Sequence, residues 1–430
     1  MNVIVNNIEN KEFFSCNRYQ KRYNKSVETF QQKIEGVRTL KFKKLLGLLG
    51  AMFLGAFLLA GCGNSSSNNS NSSSNKTLTF WYAGDGDADV KPMIKQFTKK
   101  TGIKVKIQSI PWSEYNDKLL TAASSKSGPD VLLIGTTQMA QFASSNSLMD
   151  LSSTIKNDQN LAPSKYFAGS EKTTQYKGKY YAVPWYAETR VLYYRTDVLK
   201  SVGYDHAPKT WDELYDAALK LSKRGKNMYG FNVDASEPTF GFMFARQNGA
   251  TLIKNGKAQF NSKQMVSALT YLDKFVKNGA SPKQDLKLTI AQSFGKNAPI
   301  PMFISGPWMM SSIESDAGLK DSQWSVAELP KGKNNTSVMG GGNLAVFQYS
   351  KNKTNAVKLL KFLSTKRSQL TYYKKSNSMP TLKSAWSDSS LQSAKIQVFR
   401  KQLNLSFIHI SEPTRLRRTP YALFCLQKTT

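Results

Sequence analysis

The chain has 430 residues, 60 of them basic and 29 acidic, and a net charge of +31. That length admits two domains of ordinary size. Three cysteines and two histidines exclude a disulfide-built scaffold, and neither HExxH nor GxSxG occurs to support metal-assisted or serine-based hydrolysis. The lysines are scattered rather than interleaved with aromatics, which argues against a nucleic-acid groove and for a solvated basic surface.

Residues 1–39 are polar and without period, and they precede a segment that should open a chain. Glu35-Gly36-Val37 is compatible with a purine-rich ribosome-binding site, and Leu40 with a TTG start, so 1–39 is expected to be an upstream extension read from a misplaced start. Lys41, Lys43 and Lys44 then lead into an apolar run over 45–59, too short for a comfortable membrane span. A basic start, a short apolar middle and small residues at the end read as a secretory signal over 40–61. Its end, Leu59-Ala60-Gly61-Cys62, resembles the lipobox of bacterial lipoproteins, which makes Cys62 the lipidated first residue of the mature protein. The following GNSSSNNSNSSSN offers nothing to bury and stays a solvated coil, a leash of roughly 20 Å on average. Residues 62–75 thus hold a folded domain near the outer face of the membrane.

From residue 76 the pattern alternates. A strand is predicted over 76–82, a helix over 90–100, a strand over 103–110, a helix over 112–124 with Ser113 as N-cap, a strand over 131–134 and a helix over 136–143. This β-α-β-α-β order argues for a parallel, doubly wound sheet. Further strands are predicted over 180–184, 189–194, 300–304, 325–329 and 344–347. Helices are predicted over 211–222, capped by Thr210 with Asp212 and Glu213 in its first turn, over 264–278, closed by Gly279, and over 355–364.

The landmarks FWYAGDGD, GPDVLLI, GKYYAVPWYAETRVLYYRTDVL, PKTWDEL, SEPTF, FISGPW, MGGGNLAVF and NSMPTLKSA follow one another in this order. Together they resemble the extracellular solute-binding proteins of ABC importers, the branch that includes maltose-binding protein, from about Thr77 to Phe399. The resemblance implies a two-lobed α/β fold with a hinge and a ligand cleft between the lobes. Residues 76–184 and 330–376 would form lobe 1, and 185–329 with 377–404 lobe 2. It also implies an oligosaccharide ligand, a permease as partner, a monomer, no catalytic residues, and no metal or other cofactor.

A sugar has two apolar faces and a rim of hydroxyls, so its site needs flat rings and charged or amide groups. In an open α/β sheet they belong just after strands. Asp85 follows the first strand and matches a ligand-contacting aspartate of the family, although a turn role is equally open to it; the family's neighbouring basic group is Gly86 here. Glu188 matches a sugar-contacting acid, with Trp185 a further ring beside it. Arg190 either donates to a hydroxyl or holds Glu188 in place. Glu237 matches an acid of the cleft. Phe240 falls one place beyond the family's aromatic position, so core packing competes with stacking. Trp308 matches the family's stacking tryptophan, and Trp81 and Trp112 are further candidates. Gly341, in the Gly340–Gly342 run, either lets backbone approach a ligand or forms a tight turn. Thr137 and Gln138 stand where maltose-binding protein has an acid and an arginine, so the ligand is expected to be held differently.

Three other readings compete. A surface glycosidase would use Glu188 and Glu237 as a carboxylate pair. A ferric-iron receptor would use the paired tyrosines, but strand alternation turns one of each pair inward. An adhesive lipoprotein would need no hinge. Beyond Asn404 globular patterning stops. IHISEPTR and YALFCL resemble the conceptual translation of a sequencing-library adapter, so 405–430 is expected to be non-native and the second lobe to lack its closing helices.

Overall fold

A computed structural model of the protein describes residues 77–408 except 236, 255 and 256. The expected upstream extension over 1–39, the expected signal segment over 40–61, Cys62 with the serine–asparagine stretch to 75, and the residues beyond 408 lie outside the described residues.

The first third follows the predicted alternation. Strand β1 (Thr77–Ala83) leads to helix α1 (Lys91–Thr101), β2 (Lys104–Ile110), helix α2 (Trp112–Ser125) and β3 (Val131–Gly135). Helix α1 buries Met93, Ile94 and Phe97, one face at helical spacing, and stops at Gly102, whose left-handed φ of 71° lets its N–H return to Thr98 O. Helix α2 starts earlier than Ser113. The carbonyl of Pro111 accepts the first bond, from Tyr115 N at 3.0 Å, and no side chain caps the helix.

Strands β1, β2 and β3 pair in parallel, Thr77 opposite Lys104 and Phe80 opposite Val131. The sheet then turns mixed. Strand β4 (Val183–Thr189) continues through residues left unassigned by the sequence pattern, and the chain breaks at Arg190 before β5 (Val191–Arg195). Downstream come α3 (Trp211–Ser222), α4 (Pro238–Gln247), α5 (Lys263–Lys277), β6 (Met302–Ser305), α6 (Met309–Asp316) and β7 (Trp324–Ala327). Strand β8 (Ser337–Val346) follows, then α7 (Lys353–Leu363), α8 (Lys366–Ser376), β9 (Met379–Pro380), α9 (Ala394–Asn404) and β10 (Ser406–Ile408). The large sheet runs β9-β4-β8-β3-β1-β2, with β8 antiparallel to both β3 and β4, and β10 joins β8 in parallel where β3 ends. A separate three-stranded antiparallel sheet runs β6-β5-β7.

The fold is two-lobed, and its buried apolar residues form two clusters, the first of which also takes in Val191 and Tyr193 of β5 and Trp324 and Val326 of β7. Phe80, Tyr115, Leu133, Trp185, Leu344 and Leu360 belong to one buried cluster, and Leu192, Leu214, Phe231, Phe244, Phe275 and Met302 to another. Helix α3 contributes Leu214, Ala217, Ala218 and Leu221 to the second, and Thr210 Oγ1 accepts from Glu213 N at 3.2 Å, the expected cap. Trp386, Ile396 and Phe399, grouped by sequence with the second lobe, belong to the first cluster, where Phe399 lies edge-on to Tyr193 of β5 at 6.3 Å. The change of sheet falls at Arg190, downstream of the division drawn at 184/185. Helix α9 fastens the passage back from β7 to β8. Its wholly buried Gln402 accepts from Leu329 N and donates to Asn335 O, each at 2.8 Å. Residues 406–408, grouped with the tail on sequence, add the strand β10, and Ser406 Oγ donates to Gln402 O at 2.7 Å.

Candidate functional site

Because β1, β2 and β3 are parallel, their carboxyl ends share one edge, and the loops leaving them form a rim. After β1, the Ser109 hydroxyl lies 2.7 Å from Gly84 O and 2.8 Å from Gly86 O and accepts from Gly86 N at 3.1 Å. The turn so fixed carries Asp85 at its tip, exposed. After β2, Trp112 opens α2 at 46 % exposure, its ring tilted against Tyr115 at 5.7 Å. After β3, Gln138 Oε1 accepts from Gly135 N at 3.3 Å and its Nε2 donates to Asn116 Oδ1 at 3.1 Å. An acid, a flat ring and an amide pair therefore stand along one edge.

The rim runs directly into the junction between the sheets. Gly342 of β8 lies opposite Gly135 on one side and Tyr186 on the other, and Thr136 N donates to Gly341 O at 3.2 Å. Gly341 has φ 112°, and a Cβ there would lie 2.3 Å from Tyr186 O, so β8 can pass this close to β4 only as glycine. Of the two roles left open for the glycine run, the turn does not form: the run sits within a strand, beside a β-bulge.

Gly340 lies opposite Glu188, with Glu188 Oε2 3.7 Å from where its Cβ would be. Ser378 Oγ donates to Glu188 Oε1 at a long 3.5 Å. Burial pushes the Glu188 carboxyl above its ordinary range, with the Arg190 charge and the Ser378 hydrogen bond pulling it back.

Arg190 occupies the break between β4 and β5. Ser337 Oγ accepts from Arg190 N at 3.1 Å and donates to Arg190 O at 2.9 Å, so one side chain brackets both backbone groups. The guanidinium lies 4.6 Å from the centroid of Trp308 and brings Nη2 to 3.4 Å from Glu237 Oε2, while Nη1 is buried with no hydrogen-bond partner among the described residues. The other oxygen of Glu237 caps α4, accepting from Thr239 N at 3.3 Å and Thr239 Oγ1 at 2.8 Å. Trp308 folds back over Gly306, where a Cβ would lie 1.9 Å from its six-membered ring, and Tyr193 holds the Gly306 carbonyl at 2.7 Å.

Of the residues singled out from sequence, Glu188, Arg190, Glu237, Trp308 and Gly341 gather at or beside the junction, and Asp85 stands on the rim. Trp185 and Phe240 do not join them. Trp185 is 0 % exposed, stacked 4.3 Å from Tyr372 and edge-on to Phe80, Tyr82 and Tyr186. It belongs to a strand with neighbours on both sides, so following a strand in sequence did not put it at a strand end. Phe240 is 4 % exposed and packs on Phe231 and Phe244, because α4 turns it toward the second core. Ser337 and Ser378 were missed. Their roles are set by strand register and carry no local signal, whereas Trp112, weakly marked in sequence, is the exposed ring of the rim.

Two lobes meeting at a hinge, with polar groups and flat rings on both sides of it, define a two-lobed receptor for a small solute. Residues 83–370 match the family described as bacterial extracellular solute-binding protein, and the chain belongs to that family. It is 25 % identical over 350 residues to the galactooligosaccharide-binding protein of Bacillus subtilis (strain 168), covering 78 % of this chain and 80 % of the relative. Among solved structures, the sugar-binding protein MalE of Xanthomonas citri superposes with a TM-score of 0.72 at 28 % identity, over 78 % of this chain and 87 % of that one. The GacH receptor of Streptomyces glaucescens, solved unliganded and with acarbose, gives a TM-score of 0.69 at 26 % identity, over 77 % and 87 %. No helix among the described residues is long and apolar enough to cross a membrane.

Proposed function

We propose that this protein is the substrate-binding component of an ABC importer. It captures an oligosaccharide between its lobes and delivers it to the transmembrane permease. The carrying observation is the placing of sugar-type groups on both sides of the junction, Asp85 and Trp112 on the rim, Glu188 opposite Gly340, and Arg190 with Glu237 and Trp308 beyond the strand break. A ligand touching both ends binds the closed arrangement better than the open one, so capture drives closure, and the permease reads the closed form. The oligosaccharide names of the relatives support the ligand class. Cys62 carries the lipid that holds the mature protein, as a monomer, on the extracellular face of the membrane. No catalysis is assigned. Glu237 commits one oxygen to a helix cap and faces Arg190 with the other, which leaves it poorly placed as half of a hydrolytic pair.

The test is a tryptophan-fluorescence titration against di- to pentasaccharides of different linkage. A saturable change with one linkage class, weakened about tenfold by Trp308→Ala or Glu188→Gln, is expected from the loss of a stacked ring or a charge-assisted hydrogen bond. A folded protein silent to every sugar would move the ligand to another solute class.

A further inference from the structure

We infer that Arg190 is a built-in placeholder: its guanidinium occupies the sugar-stacking position over Trp308, and the ligand must displace it. This rests on the sugar-receptor reading and adds a specificity-determining role within that site.

The guanidinium is a flat group 4.6 Å from the indole centroid, about where the flat face of a pyranose would stack. Its polar edge is poorly satisfied. The contact with Glu237 is long at 3.4 Å, and Nη1 is buried with no partner among the described residues. A buried donor left unpaired is costly, so the head group has much to gain from another arrangement. Its backbone, by contrast, is fixed by Ser337 at both N and O. The side chain can therefore swing without disturbing the strand break. Glu188 is the acid toward which it can swing: it lies two residues back along the chain, its carboxylate has among the described residues only the Ser378 hydroxyl at 3.5 Å as a hydrogen-bond partner, and it already feels the Arg190 charge. Displacement exchanges Glu237 for Glu188 as the partner of Arg190. Glu237 keeps its cap on α4 and turns its freed oxygen to a ligand hydroxyl. The subsite thus selects ligands whose ring face stacks on the indole better than the guanidinium does.

The test compares the wild-type protein with Arg190→Ala, Arg190→Lys and Trp308→Phe, reading sugar affinity and acrylamide quenching of the Trp308 component, obtained by difference from Trp308→Phe. Removing the placeholder should tighten sugar binding by about 3- to 30-fold, the span of a cation–π contact, and raise quenching of Trp308 without ligand. Arg190→Lys, which keeps the charge but loses the flat face, should fall between, and it carries the test if the alanine variant does not fold. Weaker sugar binding in Arg190→Ala with unchanged quenching would make Arg190 a direct ligand contact and overturn the inference. Should the wild-type protein bind no sugar, the receptor reading falls by itself. Quenching then decides the placeholder alone: unchanged Trp308 accessibility in Arg190→Ala ends it.

Discussion

The rim of the parallel strands and the junction between the sheets carry the same kinds of groups under opposite conditions. On the rim the loops after β1 and β3 are each fastened by a side chain that also satisfies the backbone, Ser109 beneath Gly84 and Gly86, and Gln138 beneath Gly135. Asp85 and Trp112 are left in solvent on that scaffold. At the junction the backbone is just as firmly held, by Ser337 and by the β8 pairing, but the side chains are not. Among the described residues, Glu188 is a half-buried acid with one long side-chain hydrogen bond, and Arg190 keeps an unpartnered nitrogen. A rim presents groups at little cost. A junction stores unmet polar demand, which a ligand or a change of lobe arrangement can meet.

The largest effect should come from breaking the backbone contact that brings the two regions together. Gly341→Val would place a side chain 2.3 Å from Tyr186 O at φ 112°. Overpacking and left-handed strain together should lower stability by roughly 2–5 kcal/mol, read from denaturant unfolding. A variant as stable as the wild type would mean that β8 does not pass this close to β4.

A second substitution separates stored polar demand from structure. The folded-state pKa of Glu188 is raised above its unfolded value by burial. Its stabilising contribution is therefore fully present below the ordinary glutamate range and is lost as pH rises through the raised folded value. Glu188→Gln cannot ionise. Unfolding measured from acid to neutral pH should show its stability overtaking that of the wild type across this window, even though it binds sugar less well. Parallel pH profiles for the two proteins would show that the carboxylate is not stressed in the folded state.

Much of this was legible in the sequence where local pattern decides the outcome. The β1-α1-β2-α2-β3 run, the Thr210 cap and the halt of α1 at Gly102 follow from periodicity and end signals, and the order of landmarks gave the family. The failures are tertiary. Trp185 looked like a strand-end ring because the pattern stopped at Pro184, yet β4 runs on to Thr189 with partners on both sides. Phe240 is a cleft candidate in sequence because it falls one place beyond the family's aromatic position, with core packing as the competing role; it lies in a helix that begins at Pro238, and its ring is buried in the second cluster. Gly340–Gly342 left a tight turn and a ligand approach open because glycines have no strand propensity; the run lies in β8, where a Cβ at Gly341 would meet Tyr186 O and one at Gly342 the Leu133 and Tyr186 side chains. Ser337, Ser378 and Gln402 act across large sequence separations, and nothing in their neighbours announces it.

The smallest structural effect, and the sharpest contrast with the junction, belongs to Trp112→Ala. At 46 % exposure the ring contributes little to the core, and α2 begins on the Pro111 carbonyl rather than on any side chain. Stability should change by less than about 0.5 kcal/mol, as for other surface positions. If the rim is a stacking surface, sugar affinity should still fall by about three- to tenfold, the worth of one aromatic contact. The unfolding curve and the titration must therefore part company for this variant, whereas for Gly341→Val they fall together. Should Trp112→Ala leave affinity unchanged, the rim would be scaffold only, and recognition would rest on the junction and Trp308.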